Sequence, residues 1–320
     1  METYPNSSRT TVELVEVDDD HAGQRVDNFL AGRLRGVPKS RLYRVLRKGE
    51  VRVNGGRTAP DYRLQPGDVV RIPPLWVAAE PPPAPLPGQR VLTDLGRRVL
   101  FEDERLLILD KPAGMAVHGG SGISFGVIEA LRAQRPDARF LELVHRLDRD
   151  TSGCLMVAKK GSSLRALHQM LRQGRVEKRY LALVRGDWQG GARRIEAPLH
   201  KNVLQSGERI VRVAESGKPA VSVFQPVTRY AEATLMRLRP LTGRTHQLRV
   251  HAQAAGCPIA GDEKYGDAVF NRRMREFGLT RLFLHAEFLR LRLPELEPAL
   301  TVSAPLPVEL QRVLEGLQSR

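Results

Sequence analysis

Cysteine is scarce in this chain of 320 residues, where only Cys154 and Cys257 are present. Two cysteines are too few for the disulfide framework of a small secreted domain or for a cysteine-rich zinc site. The sequence also lacks an apolar run of transmembrane length, a signal-peptide apolar core and a long amphipathic helix with aromatic membrane anchors. These absences argue against a secreted disulfide protein and against a membrane protein, and we expect a soluble, cytoplasmic one.

Acidic residues are outnumbered, since 51 Lys and Arg face 36 Asp and Glu and leave a net charge of +15. An excess of this size favours a polyanionic partner, and nucleic acid is the first candidate. The length allows two domains, with a sizeable core in at least one of them.

Positive charge is concentrated in residues 25–71, where twelve Lys and Arg face four Asp and Glu, a net of +8. Apolar residues at helical spacing predict one helix over residues 26–34 and a second over about 39–48, which Gly49 ends. Strands are predicted near residues 51–53 and 68–72. On the second helix, the side opposite the apolar residues carries four cations, which we interpret as an RNA-contacting face: Arg41, Arg44, Arg47 and Lys48. A merely solvated basic helix is the alternative.

Composition predicts four segments in the chain. Residues 1–20 form a polar, flexible N-terminal segment, and residues 21–75 form the basic domain. Residues 76–88 are a Pro- and Ala-rich linker, expected to be extended and to keep two domains apart. Residues 89–320 contain many strand-like runs and few helices, without regular βαβ alternation. This pattern predicts an α+β domain with a mixed, mostly antiparallel sheet and flanking helices.

The segment HRLDRDTSG, residues 145–153, lies between two apolar runs that predict strands over residues 140–144 and 154–158. A charged loop between buried strands is held rigidly enough to carry a reactive group. Asp148 is the candidate, because its neighbours Arg146 and Arg149 favour the ionised carboxylate. From the residues alone, the more ordinary interpretation is a strand-connecting turn whose Asp, Thr and Ser side chains cap backbone N–H groups.

HRLDRDTSG resembles the signature of the pseudouridine synthase family, which modifies ribosomal and transfer RNA. Two further segments resemble that family in the same chain order: KRYLALV (residues 178–184) and GRTHQLRVH (residues 243–251). LDKPAGMAVHGG (residues 109–120) and PIAGDEKYG (residues 258–266) are also similar. GVPKSRLYRVLRKGEVRVNG (residues 36–55) resembles the S4-type RNA-binding domain.

The resemblance implies a catalytic carboxylate at Asp148, an active-site aromatic at Tyr180 and an arginine partner for the carboxylate at Arg249. It implies that Arg146 fills the space left by a base that has been extruded from RNA. The expected substrate is uridine in 23S ribosomal RNA, with no cofactor, no metal and no membrane partner, and we expect a monomer.

Other interpretations remain open. Alone, Tyr180 would be a packed core residue and Arg249 a surface cation. His246 and His251 lie five residues apart without an evident acidic third ligand, which argues against a metal site. The competing functions are a catalytically silent RNA-binding or ribosome-assembly protein, and a nucleoside or glycoside hydrolase. The hydrolase would need a second carboxylate to activate water, and no candidate is evident.

Overall fold

The basic N-terminal domain packs two helices against a small antiparallel sheet. The computed structural model describes residues 7–34, 36–78, 87–120, 124–203, 209–291 and 299–319. Within the first domain the elements are β1 (Ser7–Arg9), β2 (Glu13–Glu16), α1 (Val26–Arg33), α2 (Lys39–Lys48), β3 (Arg52–Val53), β4 (Gly56–Arg57), β5 (Val69–Ile72) and β6 (Trp76–Ala78). The strand order β2-β5-β3-β4 forms the sheet, and the helices bury their apolar sides on it.

Helix α2 forms as the sequence predicts. Leu42, Val45 and Leu46 are buried, so one apolar side of the helix supplies the packing that stabilises it. Gly49 ends the helix with φ of 70°, a left-handed conformation that glycine adopts without strain. The predicted helix over residues 39–48 is confirmed.

Strands extend this domain at both of its predicted edges. Glu13–Glu16 pairs with β5, so part of the segment expected to be flexible is an edge strand. Ser7–Arg9 pairs with Trp76–Ala78, which are the first residues of the expected linker. Residues 1–6 of the N-terminal segment and 79–86 of the linker lie outside the described residues.

The second domain is built on one large sheet. Its strands are β7 (Val99–Glu102), β8 (Leu106–Lys111), β9 (Glu142–Leu143), β10 (Ser152–Ala158), β11 (Val176–Arg185), β12 (Arg193–Glu196), β13 (Leu199–Val203), β14 (Arg209–Val213), β15 (Val221–Arg229), β16 (Ala233–Pro240), β17 (Leu284–Leu291) and β18 (Leu300–Ser303). Its helices are α3 (Gln89–Arg97), α4 (Val127–Gln134), α5 (Gly161–Arg172), α6 (Gln247–Ala254), α7 (Ala268–Glu276) and α8 (Val308–Gln318).

Ten strands of the described chain form the sheet, in the order β12-β15-β16-β11-β17-β10-β8-β7, with β18 beside β17 and β9 beside β10. The pair β10 and β17 is parallel, and the other strand pairs of this sheet are antiparallel. The predicted α+β class with a mixed, mostly antiparallel sheet is confirmed. No helix of the described part of the chain has the length and apolar character needed to cross a bilayer.

Helices cover both faces of the sheet, because side chains alternate along its central strands. On β11, Tyr180 and Ala182 belong to the core cluster that includes residues of α3, α4 and α6. Leu183 belongs to the opposite cluster, with residues of α7 and α8. Tyr180 and α6 therefore lie on the same side of the sheet.

Three local predictions are incomplete. Helix α3 buries only Leu95 and α7 buries only three residues, and both helices were missed. The strand predicted over residues 140–144 is reduced to Glu142–Leu143. It pairs with Val157 and Ala158 alone, because the chain then turns into the loop before β10.

The expectation that the linker keeps the domains apart is wrong. The Asp20 carboxylate accepts a hydrogen bond from the Gly161 amide at 2.8 Å, at the start of α5. The Arg165 guanidinium donates to the carbonyls of Asp19 and Ala22 at 2.8 and 2.9 Å. A Cβ on Gly161 would lie 2.0 Å from the Asp20 carbonyl oxygen, so glycine permits this close approach of the two domains.

Candidate active site

The loop 145–151 is held in place by the strand that follows it. Residues 152–158 of β10 are all buried, and the Met156 amide donates to His145 Nε2 at 3.1 Å. Burial lowers the pKa of His145 to about 3, so the ring stays neutral and accepts this bond. The Thr151 amide donates to the Asp148 carbonyl at 3.2 Å, which closes the turn around the carboxylate.

Lys111 anchors the loop 145–151 through hydrogen bonds to backbone carbonyls. Its fully buried Nζ donates to the carbonyls of Pro112, Met115 and Arg149, at 2.8, 2.8 and 2.9 Å. Burial lowers the pKa of Lys111 to about 7, although the charges of Asp150 and Asp148 oppose this shift. One side chain thus links the segment after β8 to the loop that carries Asp148.

Arg249, on α6, lies between two carboxylates. Its Nη1 donates to Asp148 Oδ2 at 3.2 Å. Its Nε and Nη2 donate to the two carboxylate oxygens of Asp262 at 2.7 and 2.8 Å. This planar three-point arrangement uses the fork geometry that arginine has and lysine lacks.

The electrostatics of this arrangement favour the charged forms of Arg249 and Asp262. Burial disfavours the charge of Arg249, but the hydrogen bond to Asp262 and the charges of Asp262 and Asp148 raise its pKa above the ordinary range. Burial also disfavours ionised Asp262, whose side chain is 1% exposed, but Arg249 lowers its pKa. Asp148 is more open, with 27% of its side chain exposed.

His246 completes the surroundings of Asp148. Its Nε2 lies 4.0 Å from Asp148 Oδ1, and its Nδ1 lies 2.8 Å from the Tyr265 hydroxyl. That hydroxyl accepts from the Val211 amide at 3.0 Å, so it is able to donate its own proton to Nδ1. The proton of the neutral imidazole is then on Nε2, facing Asp148. Burial lowers the pKa of His246, while Asp148 opposes this.

Asp148, His246 and Arg249 line an open cleft with a volume of about 650 Å³. Tyr180 is buried in its wall, and burial and then the charge of Asp148 raise the pKa of its phenol. Arg146 is exposed at the cleft, and no ion pair or hydrogen bond involves its side chain in the described structure. The structure therefore brings Asp148, Tyr180, Arg249 and Arg146 together in one cleft.

The two arginines next to Asp148 in the sequence do not supply the positive charge expected of them, whereas Arg249, the partner that the resemblance implies, does. Neither Arg146 nor Arg149 forms an ion pair with Asp148 among the described residues. Arg149 Nε donates instead to the Gly114 carbonyl at 2.9 Å. The partner of Asp148 is Arg249, 101 positions later in the chain.

The four cations predicted as an RNA-contacting face lie on α2, outside the cleft. Arg44, Arg47 and Lys48 are exposed and Arg41 is half-buried. Lys48 lies 4.0 Å from Glu50, a weak surface pair.

Sequence reasoning missed two residues of the site, Asp262 and His246. Asp262 belongs to the similar segment 258–266, but nothing local indicates that it contacts Arg249. His246 has φ of 52° just before α6, which turns it away from the helical face of His251. His251 is fully buried and bonded to Ser222 Oγ and the Ala197 carbonyl, which is a structural role. No group of three or more potential metal ligands occurs among the described residues.

A cleft with one arginine-paired carboxylate, on a strongly basic chain, is the arrangement of an enzyme that acts on a nucleic acid. Residues 105–254 match the RNA pseudouridylate synthase family, and residues 24–70 match the S4 domain. The chain belongs to the pseudouridine synthase family and carries an S4 domain ahead of the catalytic one.

The chain is similar to relatives along nearly its whole length. Ribosomal large subunit pseudouridine synthase C of Pasteurella multocida (strain Pm70) is 57% identical over 310 residues, covering 97% of this chain and 95% of that protein. The protein of the same name from Escherichia coli (strain K12) is 56% identical over 311 residues, covering 97% and 98%. Among solved structures, human RNA pseudouridylate synthase domain containing 4 matches 72% of this chain and 96% of its own, with a TM-score of 0.61 and 27% identity.

Proposed function

We propose that the protein isomerises specific uridines of 23S ribosomal RNA to pseudouridine, with Asp148 as the catalytic carboxylate. The observation that carries this proposal is the Asp148–Arg249 pair at 3.2 Å inside an open cleft. The relatives named as ribosomal large subunit pseudouridine synthase C, 56% and 57% identical, support the choice of RNA. A site of action in the cytoplasm follows from that substrate.

The reaction requires few groups. The bond between uracil N1 and ribose C1′ breaks, the uracil turns within the cleft, and a bond forms between C5 and C1′. N1 gains a proton and C5 loses one, so the atoms balance without a redox step or a co-reactant. Electron deficiency at C1′ resembles that of glycoside cleavage, where a carboxylate stabilises or traps the cation. Asp148 supplies that carboxylate. Three first steps are open to it: attack on C1′, attack on uracil C6, or removal of the C2′ proton.

The remaining residues bind and orient the nucleoside. The target base leaves its stack to reach Asp148, at a cost of a few kcal/mol. Arg146 is exposed and unpaired at the cleft, which suits it to fill the vacated space. Tyr180 stacks against the uracil. Its raised pKa disfavours a phenolate, so it is a poor base for the C5 proton.

The S4 domain supplies affinity. The phosphate backbone of the RNA is contacted by four cations of α2: Arg41, Arg44, Arg47 and Lys48. Contacts of this kind position the RNA without reading its bases. The protein acts as a monomer in this proposal, since one chain carries both the RNA-binding helix and the complete cleft.

The test is to map pseudouridine in 23S rRNA from cells with and without the gene, and then from cells that express Asp148→Asn. Loss of particular pseudouridines in the deletion strain, restored by the wild type and not by Asp148→Asn, is the expected result. A catalytically silent RNA-binding protein would leave the pseudouridine map unchanged. A hydrolase would release free uracil.

A further inference from the structure

A second groove adjoins the active-site cleft. The two share six residues in the described structure, among them His145, Lys178 and Arg244. The groove lies between the end of α5, the start of β11, the end of β16 and the loop before α6. Its volume is about 740 Å³, and it opens toward solvent.

Cations dominate the groove, which is lined by Arg172, Arg175, Lys178, Arg239, Arg244 and Arg290. Its one carboxylate, Glu177, is already neutralised: Arg179 Nη2 lies 2.7 Å from it and Arg290 Nη1 3.6 Å. The groove therefore has a strong positive potential with no internal counter-charge for most of its cations.

Four of these cations have no side-chain partner within the described ranges: Arg172, Arg175, Lys178 and Arg239. Elsewhere the surface arginines are commonly paired, as in Arg185–Asp267 at 2.7 Å and Arg275–Glu263 at 2.8 Å. Burial lowers the pKa of Lys178, and no anion offsets that shift. Four unpaired cations beside one cleft attract an anion such as a phosphate group.

We propose that this groove binds the phosphodiester backbone of the RNA strand that flanks the target uridine, which rests on the proposed function. Because the groove runs into the cleft, a nucleotide bound at Asp148 places the adjacent nucleotides of the same strand next to the cations of the groove. The lining contains no Phe, Tyr or Trp, so the groove offers no aromatic platform for base stacking. Contacts to phosphates position the strand without reading sequence. The groove thus acts on affinity and not on the choice of base.

The test compares the wild type with the double variant Arg172→Gln/Arg175→Gln, whose residues are exposed and outside the cleft. The matched control is Arg272→Gln/Arg312→Gln, which removes two exposed, unpaired arginines from α7 and α8 that line neither the cleft nor the groove. The substrate is an unmodified 23S rRNA fragment, and kcat and KM for pseudouridine formation are measured at several salt concentrations.

The groove variant is expected to raise KM about tenfold, with kcat within twofold of the wild type. The slope of log binding constant against log salt should fall by about 0.7 for each lost contact to a single strand. The control should change neither quantity. Equal effects of both double variants would show that only the net charge of the protein matters, which would contradict a role for the groove. A loss of kcat with unchanged KM would also overturn the proposal.

Three further measurements keep the test independent of the proposed function and of folding. Binding measured in an Asp148→Asn background reports on the groove even if no pseudouridine forms. Arg239→Gln, on a different element, should repeat the KM effect at about half its size on a logarithmic scale. Shortening the RNA on the side of the target uridine that occupies the groove should abolish the difference in KM between the wild type and the groove variant. If trimming on neither side does so, no flanking strand lies in the groove.

Discussion

Arg249 is bound to Asp262 through two nitrogens, at 2.7 and 2.8 Å, and reaches Asp148 with its third nitrogen at 3.2 Å. Asp262 also accepts from the amides of Lys264 and Tyr265, at 3.0 and 2.9 Å. Backbone amides of its own loop thus hold the buried carboxylate of Asp262 in place, and that carboxylate orients the guanidinium of Arg249. The orientation of the guanidinium at Asp148 therefore depends on a residue that does not line the cleft.

Replacing Asp262 by asparagine is expected to lower kcat about 10- to 100-fold, because a guanidinium released on one side no longer aims at Asp148. KM should change little, since Asp262 does not contact the cleft. Loss of one partner of a buried pair should lower the free energy of unfolding by about 3 kcal/mol. Steady-state kinetics at a temperature where the variant is folded will separate the two effects. The matched control is Asp267→Asn, at a half-buried helix cap that accepts from the Phe270 amide and pairs with Arg185. Equal loss of kcat in both variants would contradict a positioning role.

Lys111 predicts a distinctive dependence of stability on pH. Its pKa in the folded protein, about 7, lies below the ordinary value of 10.5. Between these values the unfolded chain binds the proton more tightly, so stability rises as pH increases from about 7 to 10.5. Denaturant unfolding of the wild type and of Lys111→Met across that range should show the wild type gaining stability relative to the variant. Parallel curves would refute the shift, and the exposed Lys160→Met is expected to run parallel to the wild type.

Gly153 determines how closely the loop strand β10 approaches β17. Its φ is 104°, and an added Cβ would lie 2.3 Å from the Ala286 carbonyl oxygen. Gly186 has a φ of 80° and open space around it, so alanine there experiences the backbone strain alone. Gly186→Ala should cost about 1–2 kcal/mol and Gly153→Ala at least about 2 kcal/mol more. Chemical denaturation measures both, and similar costs would show that the strand contact is not limiting.

The cations of α2 in the S4 domain predict how RNA binding depends on salt. Arg44→Ala together with Arg47→Ala should weaken RNA binding and flatten the slope of log binding constant against log salt by about one for each lost phosphate contact. Arg33→Ala removes an exposed cation of the same domain that is paired with Glu13, and it should leave the slope unchanged. Titrations by filter binding at several salt concentrations give the slopes. An unaltered slope in the double variant would remove α2 from the RNA interface.

Local sequence was informative wherever one apolar period decided the structure. In α2, Leu42, Val45 and Leu46 pack on a single core and Gly49 ends the helix, so propensity and packing agree. Helices α3 and α7 bury one and three residues, and helices this short depend on tertiary contacts for their stability. Asp262 was missed for the same reason, because its partner is 13 positions away on a different element.

By itself the sequence determined the α+β class, the basic first domain and the segments that resemble a pseudouridine synthase, because composition and short motifs are properties of the chain alone. Only the tertiary structure decided that Arg146 and Arg149 form no ion pair with Asp148, how Asp262 and His246 join Asp148 and Arg249, and that a second basic groove opens beside the cleft. These features depend on distances between residues far apart in the chain, such as the 101 positions between Asp148 and Arg249. Electrostatic interactions at a few ångströms arise only after the sheet and α6 have packed together.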